Sequence, residues 1–291
     1  MYSVLNNKCI RIDFTDTECT SIEELKRHKW VIPWSGGKDS TATVYLCHQY
    51  NIPIEKIVYV RMMWDEEQPA TLPIMTEFVD KQAEKFREWG YVVEITESVE
   101  KASNLSKHVY KNSKYAERNG KYAGITYFGR GMCKFVEVKE KTVSYVTGKD
   151  SYRLIGYTYD EKDRVLRCSK KKSSILKILK LTQKDSMSIC ETNDALSPLY
   201  GLGIPRDGCW FCPNIKKEER KLIAQNYPEL KNEVFKMIEL CDFDLGFMIG
   251  RYNWLDDYVK EKTEIGRMIK IDFSKCRVLE IDLGGIVCMQ Q

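Results

Sequence analysis

Along the first two hundred residues, the apolar positions switch repeatedly between a short continuous pattern and a helical one. Lys29–Trp34 (KWVIPW), Ile54–Met62 (IEKIVYVRM), Tyr91–Thr96 (YVVEIT) and Arg153–Thr158 (RLIGYT) are brief runs rich in β-branched and aromatic residues, as buried strands require. Between them, Asp39–Tyr50, Leu72–Trp89 and Phe135–Val146 space their apolar residues as helices do. Pro73 falls in the first turn of the second helix and Gly90 just past its end. Strands alternating with helices predict an α/β fold, a doubly wound parallel sheet covered by crossover helices. Ser174–Leu181 fits more than one pattern, and Lys184–Asn193 reads as a helix. From about residue 214 the pattern is mainly helical, with Lys216–Asn226, Glu229–Leu240 and Tyr252–Ile269. Ahead of the first strand lie an alternating stretch around Cys9–Phe14 and a short helix, Ile22–His28, introduced by Thr20 and Ser21. The chain therefore divides into an N-terminal appendage (1–29), an α/β domain (30–200) and a C-terminal region (201–291).

Composition adds constraints rather than a function. The 291 residues are 43% hydrophobic and 30% charged, a globular balance that argues against a disordered or fibrous chain. Lysine and arginine number 46 against 42 acids, so 46 − 42 leaves +4, too little to identify a nucleic-acid partner by charge. No run approaches the roughly 18 apolar residues of a membrane span. The first twenty residues carry acids and polar groups where a secretory signal is apolar, so a cytoplasmic protein is expected. Its eleven cysteines are then expected to be reduced, and most to be small buried hydrophobes. Cys9, Cys19, Cys47, Cys241 and Cys276 have no partner spacing and read as structural, as do His28 and His48.

The most informative segment is Ser35-Gly36-Gly37-Lys38-Asp39-Ser40, set between an expected strand and an expected helix. Glycines there let backbone N–H groups turn toward an anion with no side chain in the way. The helix start adds its positive dipole end, and Lys38 adds a mobile charge. Together they point to a polyphosphate. Asp39 would repel that ligand unless a cation intervened, which points to bound Mg²⁺. The bland alternative is a plain strand-to-helix turn. The nucleoside-triphosphatase P-loop is absent, since Gly124 and Gly129 are followed by Arg130 and Gly131. The dinucleotide fingerprint is absent too, since Gly201 and Gly203 are followed by Pro205 and Arg206.

This loop resembles the pyrophosphate-binding loop of the PP-loop ATP pyrophosphatases, the adenine nucleotide α-hydrolase-like superfamily. Further segments resemble its phosphoadenosine phosphosulfate (PAPS) reductase-like family. They are Gly131-Met132-Cys133-Lys134, Gly156-Tyr157-Thr158-Tyr159-Asp160-Glu161 with Arg164, and Pro198-Leu199-Tyr200 leading to Arg206-Asp207-Gly208-Cys209-Trp210-Phe211-Cys212-Pro213. They stand in the family's order over about residues 30–230. The resemblance implies a nucleotide at the carboxyl ends of the parallel strands. It also implies cleavage of ATP between its α- and β-phosphates, which leaves an adenylated acceptor. Ser35, Gly36, Gly37 and Lys38 would hold the departing pyrophosphate, Ser40 would donate a hydroxyl, and Asp39 would position Mg²⁺. Arg164 would lie near the sulfate or phosphate end of the substrate; its bland alternative is a charged surface turn. Reductases that act on PAPS itself carry an altered loop and a Glu-Cys-Gly tail. Here the loop is intact and the chain ends Gly285-Ile286-Val287-Cys288-Met289-Gln290-Gln291. Sulfate reduction is therefore the second expectation, and a non-catalytic nucleotide sensor or partner subunit the third.

Cys209 and Cys212 form a Cys-x-x-Cys turn that can grip one metal or cluster edge. Cys133 lies upstream with 75 residues between it and Cys209, a layout similar to iron–sulfur reductases of related type, although Met132 stands where those have another cysteine. Three thiolates on a [4Fe-4S] cluster leave one iron open, the arrangement that some PP-loop tRNA sulfurtransferases use to carry sulfur. A zinc ion completed by Cys168 or Cys190, a redox dithiol, and a metal-free site stay open. Cys190 reads as core, while Cys168, beside Arg167 and near Lys170, has the setting of a reactive or ligating thiol. His108–Arg130 (HVYKNSKYAERNGKYAGITYFGR) interleaves aromatic and basic residues, which suits a single-stranded nucleic acid or a loop over ATP. Lys170–Lys172 with Lys177 and Lys180 reads as a surface element with a buried face. ATP is thus the expected nucleotide, and a sulfur donor or desulfurase the expected partner. The acceptor is a nucleic acid (tRNA or DNA), a carrier protein or a small molecule.

Overall fold

The computed structural model describes residues 2–5, 8–11, 19–64, 67–97, 110–111, 124–125, 134–148, 150–169, 171–205, 207–210, 212, 215–239, 276–281 and 285–290. An N-terminal hairpin, β1 (Tyr2–Leu5) and β2 (Lys8–Arg11), precedes the one-turn helix α1 (Ile22–Leu25). The alternating units then follow as β3 (Trp30–Trp34), α2 (Lys38–Gln49), β4 (Ile54–Arg61), α3 (Pro73–Glu88) and β5 (Val93–Glu97). Beyond a two-residue ladder, β6 (Tyr110–Lys111) with β7 (Gly124–Ile125), come α4 (Lys134–Thr147), β8 (Arg153–Leu154), α5 (Lys162–Val165), β9 (Lys172–Ser173), α6 (Ile175–Ile178) and α7 (Gln183–Thr192). Helices α8 (Lys217–Asn226) and α9 (Pro228–Glu239) and a hairpin, β10 (Cys276–Ile281) with β11 (Gly285–Gln290), complete the described chain.

Five of these strands form one parallel sheet in the order β5-β4-β3-β8-β9. From β3 the chain steps outward to β4 and β5, then returns to the other flank of β3 with β8 and β9. The order therefore reverses between β3 and β8, where open α/β sheets leave a crevice at their carboxyl ends. Helices cover both faces. Tyr59 of β4 lies with Met75 and Val79 of α3, whereas its neighbours Val58 and Val60 line a cavity with Val143 of α4. The strands are buried because their side chains meet helices on each side: Val31, Ile32, Ile57 and Leu154 are fully enclosed.

Pro33 gives the crevice its width. The Val31 N–H donates to Tyr152 O at 2.8 Å, so odd-numbered residues of β3 face β8. Pro33 has no N–H to offer in that direction, and the β3–β8 pairing is confined to Val31 and Arg153. Beyond that point the two strands frame open space instead of a ladder.

Several expectations change in detail. The expected strand Arg153–Thr158 pairs only over Arg153–Leu154, and the sheet gains the unpredicted strand β9, held by Arg153 N–H to Lys171 O (2.7 Å) and Ile155 N–H to Ser173 O (2.9 Å). Ser174–Leu181 resolves as the one-turn helix α6, capped by the Ser174 hydroxyl. The C-terminal region is not helical throughout, because residues 276–290 carry an antiparallel hairpin. The expected helix Tyr252–Ile269 lies outside the described residues. No helix among the described residues is long and apolar enough to cross a membrane.

Candidate functional site

The loop between β3 and α2 is built by its own side chains. Ser40 Oγ donates to Gly37 O (3.0 Å) and accepts from the Ser35 N–H (3.2 Å), while the two serine hydroxyls lie 3.0 Å apart. The Gly37 N–H reaches Ser35 Oγ at 3.4 Å. In this arrangement the Ser40 proton braces the loop. Gly36 sits at φ +75°, a left-handed conformation, and a Cβ there would meet Met75 Cε at 3.1 Å and Val79 Cγ2 at 3.3 Å. Gly37 is the N-cap of α2, and no side chain caps that helix. Its opening N–H groups are therefore left for a ligand, with the positive end of the helix dipole behind them.

A second segment closes over the start of α2. Gly156, just past β8, approaches so closely that a Cβ would lie 2.7 Å from Asp39 C, 2.8 Å from Ser40 N and 2.9 Å from Asp39 O. Only glycine permits this contact between two backbones at the switch point. Lys38 Nζ meets Asp39 Oδ2 at 2.8 Å and Oδ1 at 3.0 Å, and Gln183 Oε1 at 3.5 Å. The expected phosphate cation and the expected metal carboxylate therefore hold each other in this structure, and a ligand has to part them.

The crevice is a cavity of about 490 Å³, a size that suits a nucleotide-scale ligand. One end is polar, with Ser35, Gly37, Asp39 and Ser40; Val58, Val60 and Val143 make an apolar wall. Basic side chains enter from four other elements. Arg153 has its guanidinium tied to Ser151, Ser144, Thr147 and Gly148 at the end of α4, so its role is structural as well as electrostatic. Arg164 stacks on Tyr157 at 4.9 Å and pairs with Glu161 at 2.7 Å, and Lys172 Nζ lies 5.5 Å from the centre of the same ring. Arg164 lines the same cavity as the loop, with a largely exposed side chain. Lys139, from α4, also lines it. Gly156, Tyr157, Lys139 and Lys172 gather there through tertiary structure.

The cysteine turn has its own anchor. Cys209 and Cys212 are both half-buried, and the Cys212 N–H donates to Cys209 O at 2.9 Å, folding the two thiols onto one turn. Between them Trp210 is buried, with its backbone N–H on Ala70 O (2.9 Å), its indole N–H on Pro69 O (3.1 Å) and its ring against Trp64 at 5.3 Å. This ties the turn to the segment that follows β4. Two soft thiol donors on one turn fit one edge of a zinc ion or an iron–sulfur cluster. Cys133 lies outside the described residues. Among the described residues, no three histidine, cysteine or acidic side chains converge as a metal site.

Asp207, two residues before Cys209, buries its Oδ1 with no hydrogen-bond partner. Burial pushes its carboxyl up to about 6, against the opposing pull of the Lys139 charge and the Gly208 N–H. Nothing in its local sequence signals this burial.

The cysteines proposed to complete a zinc site part company. Cys190 is buried, and its Sγ donates to Lys38 O at 3.2 Å, so α7 steadies the loop with a protonated thiol. Burial, reinforced by the nearby Asp39 charge, pushes that thiol up to about 12. Cys190 is fully buried, a core position as its helical setting suggests. Iodoacetamide at pH 8 is accordingly expected to leave Cys190 unmodified in the folded protein and to label it after urea is added. Peptide mass spectrometry checks this, and prompt labelling of the native state would contradict it. Cys168 is half-buried after α5. His28 stacks on Tyr152 (4.4 Å) and His48 on Trp89 (4.1 Å), both in structural roles.

The chain matches no protein-family model. It also matches no curated protein sequence. Among solved structures it is similar to the U34-tRNA thiolase NcsA from Methanococcus maripaludis with its [4Fe-4S] cluster, at 17% identity over 75% of this chain and 73% of that chain, with a TM-score of 0.40.

Proposed function

We propose that this protein is an ATP-dependent enzyme of the PP-loop superfamily, in its PAPS reductase-like branch. On this reading it cleaves ATP between the α- and β-phosphates, adenylates an acceptor and passes sulfur to it. One observation carries the proposal: an uncapped helix start behind the Ser35–Ser40 loop opens into a cavity at the switch point of a parallel sheet.

The polar end of the cavity receives the β- and γ-phosphates, and the apolar wall of Val58, Val60 and Val143 receives the nucleoside. The α-phosphate then lies between them, near Gly156 and the first turn of α2. An acceptor oxygen bonds to the α-phosphorus as the α–β P–O bond breaks, and the leaving pyrophosphate takes the electron pair. Backbone N–H groups of the loop and the Lys38 ammonium stabilise the charge that develops on it. Asp39 would hold Mg²⁺ once Lys38 has turned to the phosphates, and the ion's part is to neutralise their charge. Arg164 and Lys172, both at the Tyr157 ring, suit an anionic group of the substrate.

Cys209 and Cys212, with Cys133, would hold a [4Fe-4S] cluster, which would supply the sulfur as sulfide. In the second half-reaction a sulfide forms a C–S bond at the adenylated carbon, the C–O bond breaks, and AMP leaves with its electron pair. A nucleic acid such as tRNA, with an amide-like oxygen on its base, fits this chemistry as acceptor.

Anaerobic purification with iron, sulfide and zinc analysis tests the sulfur-carrying half. About four irons per chain and broad absorbance near 400 nm support it; stoichiometric zinc or no metal would refute a cluster. Release of sulfite from an adenylyl sulfate would instead favour reduction, and ATP binding with no AMP would favour a sensor.

A further inference from the structure

The positive charge of the chain is concentrated in one segment. Residues 159–184 hold nine lysines and arginines against three acids, so 9 − 3 leaves +6 there, and 4 − 6 leaves the rest of the chain at −2. The segment folds back on itself at the mouth of the cavity. The Tyr159 N–H donates to Leu181 O (2.7 Å), the Gln183 N–H donates to Asp160 Oδ1 (3.2 Å), and Gln183 Oε1 lies 3.5 Å from Lys38 Nζ in the loop. Arg164 and Lys172 form its inner edge on the cavity, while Lys162, Arg167, Lys180 and Lys184 are exposed beyond it. Tyr159, beside these cations, is half exposed.

Lys180 adds an independent observation. It lies two residues beyond α6 at φ +56°, a left-handed conformation. Its N–H donates to Lys177 O (3.0 Å) and the Leu181 N–H to Leu176 O (2.8 Å), the helix ending that glycine makes most easily. A lysine at that position keeps a charge at the expense of backbone strain, as residues at functional sites do.

We propose that this surface docks a single-stranded loop of an RNA. Its phosphates lie on Lys162, Arg167, Lys180 and Lys184, one base stacks on Tyr159, and the next is presented to the cavity. Cations beside an exposed aromatic face suit a strand whose bases are unpaired, whereas a duplex keeps its bases stacked on one another. The inference deepens the acceptor half of the proposed function and rests on it for the choice of RNA.

Anisotropy of a fluorescein-labelled RNA stem-loop, titrated with the full chain at several salt concentrations, tests it. Tyr159→Ala is expected to weaken binding by about tenfold, and Tyr159→Phe to keep the wild-type affinity. Arg167→Gln, Lys180→Gly and Lys184→Gln combined are expected to reduce the slope of log affinity against log salt by about 2, the share of three phosphate contacts on a single strand. Lys180→Gly alone is expected to melt at or above the wild-type temperature and still to lose affinity, a combination that a purely structural lysine would not give. Lys26→Gln with Lys81→Gln, two charges outside the segment, is expected to leave RNA binding unchanged. An unaltered affinity and slope in the triple variant, or an equal loss in Lys26→Gln with Lys81→Gln, would overturn the surface. Equal or tighter binding of the matching DNA stem-loop would overturn the assignment to RNA, and of a DNA duplex the assignment to a single strand. AMP and pyrophosphate formed by a wild type that binds no RNA would remove the docking surface and leave ATP cleavage standing. RNA bound through these residues with no AMP formed would keep the surface and remove the cleavage reading.

Discussion

Gly156→Ala is expected to lower nucleotide turnover by about 100-fold, the effect of displacing reacting groups by roughly an ångström. The added Cβ would fall 2.7 Å from the Asp39 carbonyl carbon and 2.8 Å from the Ser40 nitrogen, and both are backbone atoms with no rotamer to yield. Either β8 backs away from α2 or the first turn of α2 moves out of the cavity. Overpacking of this kind costs about 1–3 kcal/mol of stability, so the variant is expected to fold with a lower melting temperature. Thermal melts and steady-state turnover read the two effects separately. Turnover at the wild-type rate would show that the close approach of Gly156 does not set the geometry of the loop.

The other large effect is expected at the ion pair. Lys38→Ala and Asp39→Ala should each reduce pyrophosphate release by about 10²–10³-fold, the usual range for removing a group that meets developing charge. Their structural cost is small. The pair is partly exposed, with side-chain accessibilities of 14% and 24%, and such pairs contribute about 1 kcal/mol or less. The loop is braced independently by Ser35 and Ser40, whose mutual hydrogen bonds do not involve either charge. Intact melting with lost pyrophosphate release is therefore the expected combination. Unchanged turnover in both variants would detach the loop from the chemistry.

The first half of the fold was legible because its elements are long and strongly patterned. Trp30–Trp34 and Ile54–Arg61 fall within the expected strands, Val93–Glu97 runs one residue past the expected end of its strand, and α2 and α3 differ from their expected ends by only a residue or so. The loop was legible because glycine, lysine, aspartate and serine coincide where a strand gives way to a helix. Short elements carry no such pattern. Strand β9 is two residues long and exists through two hydrogen bonds to β8 and its flank, which no local sequence periodicity encodes. The C-terminal hairpin was legible in principle, since the runs Arg277–Ile281 and Ile286–Val287 are rich in β-branched and apolar residues and flank the glycine pair at 284–285 of the sequence, yet the helical spacing of the preceding segments masked that signal.

The site divides in the same way. Residues contiguous with the loop were named from sequence, whereas Lys139 and Lys172 come from separate elements and meet the cavity only through the strand order. Pro33 is the intermediate case. A proline in a central strand looks like a flaw in the pattern, and its orientation toward β8 turns that flaw into the opening of the crevice. Chemistry written in one segment can be read from one segment; chemistry assembled at a switch point requires the topology.

The most direct test of the central claim follows the bond that breaks. The protein, purified without oxygen, is incubated with Mg²⁺, sulfide, unfractionated tRNA and ATP labelled in its α-phosphate, and the labelled products are separated. Label recovered in AMP, with pyrophosphate released in equal amount and neither formed by Lys38→Ala, is the predicted result. Label recovered in ADP with inorganic phosphate, or retained in ATP, would contradict α–β cleavage at this loop.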